Sequence, residues 1–372
     1  MPEPSSPLGN SPFQRPQYDA EPDNAEQDPQ VAAQTQTVIS LLKTIEDPVL
    51  RNDIVSLGMV RNLRIVDHYI YLRLYVGSQQ QALQAAVKQT LTPLDWCKKV
   101  YVQLCTIPGV KRTIAVSSGK GGVGKSTTAV NLAAALTVTG AKVGILDADI
   151  YGPNVPQMLG LGQSPVTVID TPEGQRYQPL EAHGIKLISV GLLTAHDHPL
   201  AWRGPVLHKL LTQFLHEVDW GDLDYLLIDL PPGTGDAQIT IVQESPICGA
   251  LIVTTPQQVA VSDVRRSIHM FRRVGVPVLG LIENMSYLLC GHCGEPTPIF
   301  GSGGGKLLEQ DLQIPLLGQV PIDPRICQMG DLGRPLPMTD QQAPISQVFE
   351  QVAMGLAATF NPQGVATMAR ED

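Results

Sequence analysis

Residues Ser117 to Thr128 read S-S-G-K-G-G-V-G-K-S-T-T, which fits the phosphate-loop pattern G-x-x-x-x-G-K-[ST] from Gly119 to Ser126. Such a loop works where a buried strand passes the chain directly into a helix, because backbone N–H groups and the helix N-terminus must converge on the phosphates. Both flanks comply. The apolar run Arg112 to Ser118 precedes the loop, and Thr128-Ala-Val-Asn-Leu-Ala-Ala-Ala-Leu136 follows it with a helical pattern.

From Thr113 onward, strand and helix patterns alternate, which predicts an α/β fold with a doubly wound, mostly parallel sheet. Expected strands are Thr113 to Ser117, Lys142 to Asp147, Ile185 to Val190, Tyr225 to Asp229, Ala250 to Thr254, Val278 to Ile282 and Leu316 to Gln319, with a closing helix after Pro344. Ligands in such sheets sit beyond the carboxyl ends of the strands. Residues 31–107 read as a separate, small α+β domain. Its expected elements are a helix through Val38 to Ile45, strands at Val60 to Ile65, Tyr69 to Val76 and Val100 to Leu104, and a helix over Gln79 to Thr90. Pro108-Gly109 opens the main domain, residues 108–361.

Residues 1–30 hold seven prolines, six acids and one arginine, so they are expected to form a disordered, Pro-rich acidic tail. A short tail, 362–372, ends the chain. No apolar run approaches the roughly 18 residues of a membrane span, and the N-terminus lacks the order of a secretory signal, so a cytoplasmic location without membrane attachment is expected. The net charge of −9 argues against stable nucleic-acid binding.

The loop residues carry distinct roles. Gly119, Gly121, Gly122 and Gly124 let the backbone approach the phosphates of ATP, with Val123 and Thr127 completing the cradle. Lys125 is expected on the β- and γ-phosphates and Ser126 on Mg²⁺. Asp229 ends the apolar run Leu226-Leu-Ile, where a carboxylate holds the magnesium shell, and Pro231 to Asp236 follows as a γ-phosphate-sensing loop with Gly233 as backbone donor. Of the pair in Asp147-Ala-Asp149, Asp149 is assigned to the attacking water and Asp147 to the magnesium side. Asn284 is either a reader of the adenine edge or a turn residue.

Six cysteines stand at 97, 105, 248, 290, 293 and 327, too scattered for a secreted disulfide framework. Cys290-Gly-His-Cys293 alone has ligand spacing. Two thiolates do not fill a tetrahedral site, but a two-fold dimer offers four sulfurs, suited to Zn²⁺ or a four-iron cluster. A redox disulfide, a zinc knuckle completed by His292 and plain loop cysteines are the alternatives.

Together, the phosphate loop, Asp147-Ala-Asp-Ile-Tyr-Gly-Pro-Asn154, Trp202-Arg-Gly-Pro205, Ile228-Asp-Leu-Pro-Pro-Gly-Thr-Gly-Asp236 and Glu283-Asn-Met-Ser-Tyr287 resemble the Mrp/ApbC family of P-loop ATPases that carry iron–sulfur clusters. The resemblance implies an ATPase that forms a homodimer sandwiching ATP, with Lys120 reaching the nucleotide of the facing subunit. It further implies a labile [4Fe-4S] cluster held between paired Cys290 and Cys293, received from cluster-assembly scaffold proteins and passed to apo iron–sulfur proteins. Residues 31 to 105 resemble the small SufT-like iron–sulfur assembly domain through Asp47-Pro48 and Asp53-Ile-Val-Ser-Leu-Gly-Met-Val60. Where that domain often carries a reactive cysteine, Val76-Gly-Ser-Gln-Gln-Gln81 has none. Three other functions compete, of which an ATP-gated electron donor resembling the nitrogenase iron protein belongs to a family that spaces its cluster cysteines far apart. A spatial-organisation ATPase of the MinD/ParA type shares the loop but leaves the cysteine pair unexplained. A zinc-stabilised ATP-binding interaction module would hold zinc without iron.

Overall fold

A computed structural model describes residues 29–48, 51–76, 80–162, 164–171, 174–192 and 204–360. Residues 1–28, the tail 362–372, Gln79 and Trp202-Arg203 of the sequence reading lie outside the described residues.

The small unit packs α1 (Pro29–Leu42) and α2 (Gln80–Leu91) on one face of a three-stranded sheet of β1 (Val60–Val66), β2 (Tyr69–Tyr75) and β3 (Lys99–Cys105). β2 is central, antiparallel to β1 and parallel to β3. The alternation expected along β2 is real: Ile70, Leu72 and Leu74 are buried between outward Tyr69, Tyr71 and Arg73. The first helix departs from expectation. It begins at Pro29 and stops at Leu42, because proline suits a first turn and the polar Gln- and Thr-rich stretch, weak in apolar periodicity, still turns Val38 and Leu42 into the core. Pro29 and Gln30, read as tail, are therefore helical.

The main unit is an eight-stranded sheet. At its centre β4 (Thr113–Ser118) lies parallel between β10 (Tyr225–Asp229) and β11 (Gly249–Thr254). β5 (Val143–Asp147) and β9 (Ile185–Ser189) extend it beyond β10; β12 (Val278–Glu283) and β15 (Leu316–Gln319) extend it beyond β11, all parallel. β8 (Leu180–Ala182) closes the β9 edge antiparallel. β4, β5, β10 and β11 are buried throughout, which is why they read as continuous apolar runs. One face, through Ile114 and Val116, meets α3 (Lys125–Val138) and α11 (Pro344–Phe360). The other, through Ala115 and Ile228, meets α5 (Gly204–His216), α6 (Asp236–Glu244), α7 (Gln258–Arg273) and α8 (Gly304–Leu312).

The expected strands are present with ends shifted by a residue, and sequence reading missed β8 and four short pieces. These are the hairpin of β6 (Thr167–Thr171) and β7 (Gly174–Gln178), and that of β13 (Leu288–Leu289) and β14 (Pro296–Thr297). Short helices α4 (Val155–Met158), α9 (Pro324–Asp331) and α10 (Leu336–Thr339) surround the open end of α3. The two units touch where Arg61 Nη1 donates to Val242 O and the Tyr75 hydroxyl to Gln243 O, both at 2.9 Å, on the last turn of α6.

Candidate functional site

β4 ends at Ser118, and the loop turns into α3 through Gly122 and Gly124, at φ 79° and 82°. Those left-handed values favour glycine, and a Cβ at Gly124 would also run into the Asn284 amide nitrogen. At Gly119 a Cβ would lie 2.6 Å from Val264 N, so α7 is close-packed against the start of the loop. The glycines therefore serve packing as well as phosphate access.

Three aspartates converge because their parallel strands end at the same edge: Asp229↔Asp147 and Asp147↔Ser189 are register partners. Lys125, the first residue of α3, is 6% exposed and donates to Asp229 Oδ1 at 2.6 Å, with Asp149 Oδ2 at 3.3 Å. The Ser126 hydroxyl donates to Asp229 Oδ2 at 2.5 Å. Asp229 is fully buried, and burial raises its pKa against the pull of Lys125. Burial and then the Asp229 charge push Asp147 up to about 8, although its oxygens accept from Ser189 Oγ at 2.8 Å and Asp149 N at 3.1 Å. One cation thus faces three buried acids. A divalent cation would supply the positive charge that this cluster lacks, and Ser126 with Asp229 offers oxygen donors suited to Mg²⁺.

The remaining sequence candidates fall around this centre. Lys120 lies on the partly exposed rim, and its ammonium makes no hydrogen bond or ion pair with a described residue. Gly233, at φ 94°, follows Asp229 as expected, but its N–H donates to Ser118 O at 3.0 Å rather than pointing free. Asn284 donates from Nδ2 to Val123 O at 2.8 Å and is held by its own N–H on Thr254 O, so it clamps the loop. It also borders a largely apolar cavity of about 840 Å³ that Gly124, Thr127, Leu288, Phe300 and Ile322 help to line.

Six residues beyond Asn284 the chain reaches Cys290. The β13–β14 hairpin presents Cys290-Gly-His-Cys293 at its tip, closed by Cys290 N–H to Glu295 O at 3.0 Å and Gly294 N–H to Cys290 O at 2.8 Å. The backbone N–H groups of Cys293 and His292, with the Cys293 side chain, lower the Cys290 thiol pKa. Cys290 is partly exposed and Cys293 exposed. No group of three or more His, Cys, Asp or Glu able to hold a metal occurs among the described residues, so His292 gathers no such set with the two cysteines there. No described helix is long and apolar enough to cross a membrane.

Sequence reasoning missed three supporting residues. Ser189 orients Asp147; Gln238 donates from Nε2 to Ser117 Oγ beneath the loop; Glu283, 1% exposed, accepts from Gly305 N, Ser286 Oγ and Gln319 Nε2 and so anchors the strand end before Asn284. A glutamate closing the apolar run Val278 to Ile282 was the available signal for the last.

A parallel sheet whose central strand feeds a glycine loop, with lysine, serine and aspartates gathered at the strand ends, defines a P-loop NTPase. Residues 109–357 match the family model of the NUBPL iron-transfer P-loop NTPase, and residues 35–104 match that of an iron–sulfur cluster assembly protein. The iron–sulfur cluster carrier protein of Synechocystis is 41% identical over 341 residues, which is 87% of this chain and 97% of that one. The carrier of Escherichia coli K12 is 40% identical over 346 residues, 88% of this chain and 92% of its own. A solved nucleotide-binding protein from Archaeoglobus fulgidus in complex with ADP is 39% identical with a TM-score of 0.55, across 65% of this chain and 92% of its own. The cell division ATPase MinD of Pyrococcus furiosus shares the fold at 22% identity and a TM-score of 0.50, across 66% and 98%. This chain belongs to the iron–sulfur cluster carrier family of P-loop NTPases.

Proposed function

We propose that the protein is a homodimeric ATPase that carries a labile [4Fe-4S] cluster between paired Cys290 and Cys293 and delivers it to apo iron–sulfur proteins, after loading from an assembly scaffold. The observation that carries this reading is the segment 284–290. At one end Asn284 holds the phosphate loop at Val123 O, and at the other the same strand exit opens into the accessible thiol pair. Two sulfurs per chain, with no third ligand among the described residues, leave four-fold coordination to a symmetry-related pair.

In this reading Lys125 and the loop N–H groups bind the β- and γ-phosphates, Ser126 ligates Mg²⁺ with Asp229 and Asp147 behind it, and the apolar cavity beside Asn284 takes the adenine. Asp149 orients a water whose oxygen attacks the γ-phosphorus as the β,γ-bridging oxygen leaves with ADP. Lys120 supplies charge to the partner's nucleotide, and release of the γ-phosphate moves the Gly233 loop. Residues 31–107 and 108–361 act as assembly-like and ATPase units, in the cytoplasm. Anaerobic purification with iron, sulfide and zinc analysis is the test. We expect about one four-iron cluster per two chains, lost in Cys290→Ala and in Cys293→Ala. Stoichiometric zinc without iron refutes the carrier assignment, and a full cluster in the double variant refutes its placement at Cys290 and Cys293.

A further inference from the structure

The sheet of the small unit has two unlike faces. Its inner side chains are covered by α1 and α2, while the outer face carries Tyr69, Tyr71 and Tyr101 with Arg64, Lys98 and Lys99 around them. Tyr71 and Tyr101 stack at 4.9 Å with 6° between their planes, and Tyr69 lies 6.2 Å from Tyr101. Lys99 Nζ sits 4.9 Å from the centre of the Tyr101 ring and Lys98 Nζ 5.6 Å from that of Tyr69. Val66 and Tyr71, neighbours on this face, are 54% and 37% exposed.

The charge is one-sided. β1, β2 and β3 contain Arg64, Arg73 and Lys99 besides Arg61, which is turned to Val242, and not one Asp or Glu, the nearest acid in sequence being Asp67 in the turn between β1 and β2, in a chain whose net charge is −9. Arg64, Lys98 and Lys99 form no ion pair with any described residue. Like charges crowded on one pleated face repel, and carboxylates placed over them would relieve that repulsion. We propose that this tyrosine and lysine face is a docking surface for an acidic segment of a partner protein, whose carboxylates accept from the ammonium, guanidinium and phenol groups. A nucleic acid fits less well, since bases stack on free ring faces. Here Tyr71 and Tyr101 cover each other, and lysines cover Tyr69 and Tyr101. What remains for a partner is chiefly cations and hydroxyl groups, with exposed Val66 and Tyr71 among them.

The surface is independent of cluster binding, so the test uses full-length protein freed of cluster and nucleotide; its failure would leave the carrier assignment standing, and the reverse also holds. The probe is a fluorescein-labelled peptide, (Glu-Leu-Asp-Gly)4, followed by anisotropy beside a labelled dT20 oligonucleotide. We expect saturable peptide binding, weakened about 10-fold or more by Arg64→Glu with Lys98→Glu and Lys99→Glu, and weakened by added salt. All three side chains are exposed, so the fold persists, which circular dichroism checks. Lys88→Glu, on α2 at the opposite face, should leave the affinity unchanged. Absent binding, equal affinity in the triple variant, or tighter binding of dT20 overturns the proposal. Binding that appears only after the acids at 19, 21, 23, 26 and 28 are neutralised also overturns it, by assigning the face to the chain's own acidic segment.

Discussion

Asp147→Asn isolates the electrostatics of the carboxylate cluster. In the nucleotide-free protein burial, reinforced by the Asp229 charge, lifts Asp147 from 3.8 to about 8, so its carboxyl is protonated near neutrality. A group whose folded pKa exceeds its unfolded value stabilises the fold at low pH. That contribution is complete below the unfolded value and is lost as pH rises through the folded one. At about 1.4 kcal/mol per unit, the part lost between pH 6 and pH 8 is about 2 kcal/mol. Asparagine keeps the shape and abolishes the titration. Its amide oxygen still accepts from Ser189, but its NH₂ then faces the Asp149 N–H, which adds a pH-independent loss of about 1 kcal/mol. Urea unfolding at pH 6 and pH 8, without Mg²⁺ or nucleotide, should show the wild-type protein losing about 2 kcal/mol more than the variant over that interval. Equal pH dependence in the two proteins would falsify the account of Asp147 as a neutral acid held by its neighbours.

Other substitutions probe the site and the frame around it. Lys125→Ala should abolish ATP hydrolysis and, by leaving buried Asp229 without its 2.6 Å partner, destabilise the nucleotide-free protein by about 3–5 kcal/mol; wild-type turnover would overturn the loop assignment. Asp149→Ala should retain ATP binding in equilibrium titration while slowing hydrolysis, so equal losses of both would remove its assignment to the water. Gly124→Ala puts a Cβ at φ 82° against the Asn284 amide, and a thermal melt should reveal a loss of about 1 kcal/mol or more. Arg61→Met removes the bond to Val242 O and the guanidinium 4.2 Å from the centre of the Tyr75 ring, for a loss of about 2 kcal/mol, and an unchanged melt would show that this junction is not holding the units together.

What the sequence discloses follows from which interactions are local. The phosphate loop, the central strands and the thiol spacing are contiguous patterns, each with one physical reason for its residues, and the structure gathers the loop and the strand-end aspartates at the carboxyl ends of those strands. The first helix was read from apolar spacing alone, and its polar first turns before Val38 carry no such signal. β8 and the hairpins, only two to five residues long in each strand, are set by pairing across the fold rather than by propensity. Asn284 shows the limit most plainly. Its place after a strand marks it as near the ligand, but nothing in its neighbourhood says that its amide closes on Val123 O, 161 residues away. That contact joins two motifs that the sequence presents separately. Because Asn284 grips the loop while the same segment runs on to Cys290, the proposed function predicts that a shift of the phosphate loop on binding nucleotide reaches the base of the thiol hairpin through seven residues of backbone, 284–290. The hairpin is anchored there by Ser286 N–H on Val320 O and by Ile322 N–H on Tyr287 O, both at the strand exit beside the cavity that Asn284 borders. A rigid path of this kind favours coupling by displacement of the hairpin as a unit over melting of the cysteine loop. Amide exchange across 288–297 should therefore stay the same with and without nucleotide, while accessibility of the two thiols changes.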